Sequence, residues 1–190
     1  PIQLFACPPE NDNCDGAIEA AVNADLTCDI VTSGTITSAS PSGNESECIS
    51  DMDDDVWFSF SATSNAQLIS ITDIVGSTTN LGHALYVGSG NVLCSTLEEL
   101  YCVNNSSSIA EDLTVGTTYH IRIFSVGNDP QNVDFNLCIS NLPENTTCDN
   151  ATNFCGEGGA LYGANIFGYP SLGSIGCLYS TPNPSWNKIQ

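Results

Sequence analysis

From residue 30 to residue 140 the sequence is a train of short β-type runs separated by turn residues. Val, Ile, Thr, Tyr and Phe fill the runs; Gly, Asn, Asp and Pro fill the breaks. The spacing predicts strands over 30–39 (broken at Gly34), 56–62, 67–75, 83–87, 97–103, 109–115, 118–126 and 133–140. Residues 17–22, Ala-Ile-Glu-Ala-Ala-Val, are the one segment that reads as a helical turn. Such a pattern fits an all-β, antiparallel sandwich or jelly roll.

The stretch 53–60, Asp-Asp-Asp-Val-Trp-Phe-Ser-Phe, is the sharpest of these transitions. Side chains alternate along a strand, so Val56, Phe58 and Phe60 point one way and Trp57 and Ser59 the other. If the first set is core, Trp57 either packs under a loop as a structural aromatic or stands exposed as a platform for a sugar ring. Asp51, Asp53, Asp54 and Asp55 share one loop. That loop is either a solvated acidic turn or a Ca2+ site, since hard oxygen ligands suit calcium. It lacks the glycine and terminal glutamate of an EF-hand.

Charge excludes several classes. There are 22 acidic residues against 2 basic ones, Arg122 and Lys188, for a net charge of −20. Nucleic-acid binding rests on Lys and Arg neutralising phosphates, so it is not expected. Anionic membrane surfaces are disfavoured for the same reason. No apolar run reaches the roughly 18 residues of a membrane-spanning helix, so no membrane insertion is expected. His83 and His120 are the only histidines. Both lie mid-strand among apolar residues, and no Gly-x-Ser-x-Gly surrounds a serine, so no nucleophilic triad is legible. The chain reads as non-catalytic.

The 10 cysteines imply disulfides and an oxidising, extracellular compartment. No C-x2-C pair is present, which argues against structural zinc. Cys94 and Cys102 flank a short turn and are expected to staple a hairpin. The pairing of Cys14, Cys28, Cys48, Cys138, Cys148, Cys155 and Cys177 is open.

The chain then restarts. Pro9-Glu10-Asn11-x-x-Cys14-Asp15-x-Ala17 recurs as Pro143-Glu144-Asn145-x-x-Cys148-Asp149-x-Ala151, an offset of 134 (143 − 9). Cys48 precedes Trp57 by the same interval at which Cys177 precedes Trp186. Two landmarks in one order mark an internal repeat. The expected organisation is a lead strand and linker (1–13), a β-sandwich module (14–140) and the incomplete, truncated start of a second similar module (141–190). A lone first portion exposes an edge and an apolar face. The expected partners are therefore neighbouring repeat modules or identical subunits. Residues 1–7 resemble the closing strand near Cys138, so they could end a preceding repeat.

These residues also carry a family resemblance. The segments 11–14, 54–60, 85–90 and 113–125 resemble the tandem β-sandwich modules of large secreted surface proteins of Bacteroidota. Those modules are similar to bacterial pre-peptidase C-terminal domains. The segment 177–186 resembles the start of a neighbouring module. The resemblance implies type IX export and a place at the cell surface. It implies a structural or adhesive role in a surface protein or filament, with glycans or surface proteins as further partners. The alternative is an accessory, substrate- or carbohydrate-binding domain of a secreted peptidase or glycosidase. Relatives often carry an acidic pair after the cysteine equivalent to Cys102; this chain has Asn104-Asn105, which weakens a cation site there.

Overall fold

In the computed structural model the described residues are 7–42, 54–88, 96–127 and 129–142, with the backbone of 152–154 and 187–189. Ten strands build the main unit: β1 (Ile18–Glu19), β2 (Val22–Asn23), β3 (Thr32–Thr35), β4 (Asp55–Ser61), β5 (Gln67–Gly76), β6 (Leu81–Val87), β7 (Glu98–Val103), β8 (Ser107–Ala110), β9 (Thr118–Ser125) and β10 (Val133–Asn141). One sheet runs β1-β4-β9-β6-β7. The other runs β2-β10-β5-β8, with β3 also on β10. The result is the two-sheet antiparallel sandwich that the strand pattern predicts.

The alternation in β4 explains the layering. Val56, Phe58 and Phe60 enter the main core between the sheets, with Ile69, Ile121 and Ile139 among their neighbours. Phe58 meets Phe135 of the opposite sheet edge-on, ring centroids 5.9 Å apart. Trp57 points to the outer face, where a second cluster forms from Cys14, Ala84, Tyr86 and Phe124. Gly34 lies against the main core's rings: a Cβ there would stand 2.6 Å from Phe135 Cζ and 2.7 Å from Phe58 Cζ.

Residues 17–22 are not helical. Ile18 and Glu19 pair in parallel with Phe58 and Ser59. The Ala20 amide then donates to Ser59 O at 2.7 Å. The chain crosses to the second sheet, where Val22 and Asn23 pair in parallel with Ile139 and Ser140. Two open strand edges satisfy more backbone groups than one helical turn would, and tertiary pairing overrides the alanine-rich propensity.

The strand expected over 109–115 is shifted. It starts at Ser107 and stops at Ala110. Asp112 takes φ 57°, in the left-handed region, which ends an extended run. Leu113 still reaches the core, and its amide donates to Asn65 O at 2.9 Å.

Candidate functional site

Asp54 and Asp55 are fully buried rather than wet. They sit where β4 begins, so the strand that delivers Trp57 outward also carries both carboxylates inward of the surface. Asp54 Oδ1 accepts from the Ser125 amide at 3.1 Å and the Ser125 hydroxyl at 2.6 Å. Its Oδ2 accepts from the Gln131 amide. Asp55 accepts from Arg122 Nη2 at 2.6 Å and from the Ser42 amide at 3.0 Å. The Ser42 hydroxyl donates to Asp55 as well. These carboxylates therefore fix the ends of β9 and the loop entering β10. Asp51 and Asp53 lie outside the described residues. Among the described residues no group of three or more His, Cys, Asp or Glu could hold a metal ion.

Trp57 is fully buried, which corrects the sugar-platform reading: the ring has no open face to offer. Its Nε1 donates to Ser42 Oγ at 2.8 Å. Arg122 Cζ lies 5.6 Å from the ring centroid, and the Tyr86 ring is 5.1 Å away. Tyr86 OH donates to Glu99 Oε2 at 2.7 Å. Burial pushes the Tyr86 phenol well above its ordinary range, and Glu99 pushes it further. The outer cluster is thus a second core with one cation at its centre.

The Pro-Glu-Asn-Asp segment, expected as a linker, is anchored on this same strand. Trp57 N donates to Asn11 O at 2.8 Å, and Asn11 Nδ2 donates to Trp57 O at 2.9 Å. Asp12 accepts from the amide and hydroxyl of Ser40, both at 2.6 Å. Asn11 and Asp12 are buried. A sequence signal was available for Asn11, because the repeat duplicates it as Asn145; Asp12, matched by Thr146, carried none.

His83 is fully buried. Its Nδ1 is 3.0 Å from Asn105 O, which can only accept, so Nδ1 carries the proton. Nε2, 2.6 Å from Ser108 Oγ, accepts from that hydroxyl. Tyr101 OH in turn donates to Ser108 Oγ at 2.8 Å. Burial lowers the His83 pKa to about 4, against the raising effect of the Asn105 carbonyl. A base that weak and that enclosed does not activate a serine at neutral pH. The group ties β6 to the turn between β7 and β8. Burial also lowers the pKa of half-buried His120, whose Nδ1 has no hydrogen-bond partner.

Cys28 and Cys138 form a disulfide with Cα atoms 5.7 Å apart. Cys14 and Cys102 are disulfide-bonded too, and Cys7 is free and exposed. Cys48, Cys94, Cys148, Cys155 and Cys177 lie outside the described residues, and the expected Cys94–Cys102 staple with them. A groove of about 530 Å3 opens beside β3, lined among others by Ile18, Gly34, Phe135, Asp73, Val75 and Asp134. Asp73 is held at φ 49° where the β5/β10 register slips, and its carboxylate accepts from Asn136 Nδ2 at 2.9 Å.

Comparisons with known proteins bear on this architecture. The chain is similar to the pre-peptidase C-terminal domain of a collagenase from Bacillus anthracis, at 12% identity and TM-score 0.36, covering 65% of this chain and 93% of that one. It is similar to PliG of Aeromonas hydrophila, a periplasmic inhibitor of g-type lysozyme, at 10% identity and TM-score 0.36, covering 65% and 97%. A search of curated proteins returned no match. A family model described as galactose binding domain-like, and associated with type IX secretion, matches residues 10–137. That span runs from the Asn11 clasp to the closing strand β10. The chain belongs to this type IX secretion-associated, galactose-binding-domain-like family and is a secreted, cell-surface β-sandwich module.

Proposed function

We propose that the chain is a structural repeat module of a bacterial surface protein or filament, supplying reach and rigidity in an array of like modules. The observation that supports this reading is a coincidence of register. Strands β11 (Thr152–Phe154) and β12 (Asn187–Ile189) pair in parallel, Thr152 with Asn187 and Asn153 with Lys188. In the main unit, Ile18 pairs with Phe58 and Glu19 with Ser59, also in parallel. Thr152 stands 134 residues after Ile18 (152 − 18), the offset of the Pro-Glu-Asn motif. Asn187 stands 129 after Phe58 (187 − 58), the offset of Trp186 from Trp57. Two sequence offsets that differ by five residues thus meet in the same strand pairing. In this reading residues 141–190 begin the fold again, and the partners of the module are its neighbours in the array.

The test is electron microscopy and intact mass of the native, full-length secreted protein. A linear series of similar lobes is the expected result. A catalytic domain joined directly to this module overturns the reading.

The groove beside β3 favours a second reading, an accessory binding domain of a secreted hydrolase. Titration of the chain against a panel of neutral glycans tests it. Saturable binding weakened by Val75→Arg supports it, and no binding across the panel removes it.

A further inference from the structure

We propose that this module is a tension-bearing link in which the Cys28–Cys138 disulfide shields nearly the whole core from extension. The inference rests on the array reading for the source of tension, and on the topology for the path that tension takes.

A pull on the N-terminal side enters at Asn11, which is bonded twice to the backbone of Trp57. It passes β1, parallel to β4, and then β2, parallel to β10. A pull on the C-terminal side leaves along β10. For two parallel strands, one drawn backward and the other forward along their shared axis, the load is shear. All the hydrogen bonds between them must then yield together, rather than one after another as in peeling. Asn23 adds to this lock: its Nδ2 donates to Ile139 O at 3.1 Å and Ile30 O at 2.8 Å, and its Oδ1 accepts from the Ile30 amide at 2.9 Å.

Immediately past β2 the chain reaches Cys28, joined to Cys138 on β10 across a sequence separation of 110. Tension that gets beyond β2 therefore passes through the sulfur bridge. Everything from β3 to most of β10 lies inside the loop that this bridge closes. Pulling on the ends cannot lengthen that loop while the bridge is intact. The upstream piece that can be pulled free, 11–28, is itself held by the Asn11 clasp and by disulfide-bonded Cys14. The two devices act in series: shear pairs resist first, and the disulfide limits the extension if they fail.

Single-molecule stretching of the 190-residue chain between its two ends tests this. Under non-reducing conditions rupture of the module should add no more than the 11–28 piece, roughly 60 Å at about 3.5 Å per residue. In reducing buffer, applied after the folded chain is tethered, the fully stretched length should rise by roughly 380 Å, the 110-residue loop at about 3.5 Å per residue. Cys28→Ser/Cys138→Ser should give a several-fold longer release without reductant. Asn23→Ala should lower the rupture force of the oxidised chain and leave its stretched length unchanged. An oxidised release of several hundred ångströms, or a rupture force indifferent to Asn23→Ala, overturns the proposal. Either failure leaves the array reading to its own test on the native protein, and a catalytic neighbour found there leaves the load path standing.

Discussion

The Arg122 guanidinium and the Asp55 carboxylate meet at 2.6 Å with their side chains 1% and 0% exposed. In a chain with 22 acidic and 2 basic residues, one of the two cations is fully enclosed. Removing one partner of a buried pair strands the other charge. Arg122→Met should therefore destabilise the module by about 3–5 kcal/mol in chemical denaturation. Asp55→Asn/Arg122→Met, which removes both charges, should lose less than half as much as the sum of the single variants. Equal additivity would show that the pair is not coupled.

His83 sets a pH dependence. Its folded pKa, lowered to about 4 by burial, lies below the ordinary value of 6.5. The unfolded chain therefore binds the proton first as pH falls. The stability that His83 secures is complete above about pH 6.5 and declines between there and about pH 4, by about 3 kcal/mol in all. Urea denaturation at a series of pH values should show this slope. His83→Phe should flatten it while the later acid transition of the carboxylates remains. A slope unchanged in His83→Phe would assign it to other groups.

The fold was largely legible in the sequence because period-2 alternation reports burial directly. Val56, Phe58 and Phe60 face the core as the alternation requires. What was not legible depends on contacts distant in sequence. Residues 17–22 look helical until Ser59 and Ile139 offer open edges. Asp54 and Asp55 look like part of a wet turn until Ser125, Gln131 and Arg122 arrive from β9 and the loop before β10. One clue did point there. Arg122 is the only arginine, set at an alternating position in an apolar strand, and a lone buried cation needs a carboxylate. The Asn11 clasp was visible as a repeated motif, but its role as an anchor was not.

Gly34→Ala tests how tightly the two sheets close on β3. The new methyl would stand 2.6 Å from Phe135 Cζ and 2.7 Å from Phe58 Cζ. Both rings are buried and in edge-on contact, so neither can retreat without disturbing the core. Overpacking of this kind costs about 1–3 kcal/mol. Thermal melting should show a corresponding loss. Gly116→Ala is the control: its position meets no atom within 4 Å, so only its φ of 84° counts against it.

Trp57 separates a structural role from a binding one. The ring is enclosed by Tyr86, Arg122 and the Ser42 hydroxyl. Trp57→Ala empties the centre of the outer cluster and should cost about 3–5 kcal/mol. Trp57→Phe keeps an aromatic beside Tyr86 and loses the Nε1 hydrogen bond, so it should cost less than Trp57→Ala. The graded loss should appear in denaturation midpoints of the isolated chain, with no ligand added. A Trp57→Ala protein as stable as the parent would mean that the outer cluster is not a core. The strand 55–61 would then hold its place by the main-core residues and the buried carboxylates alone.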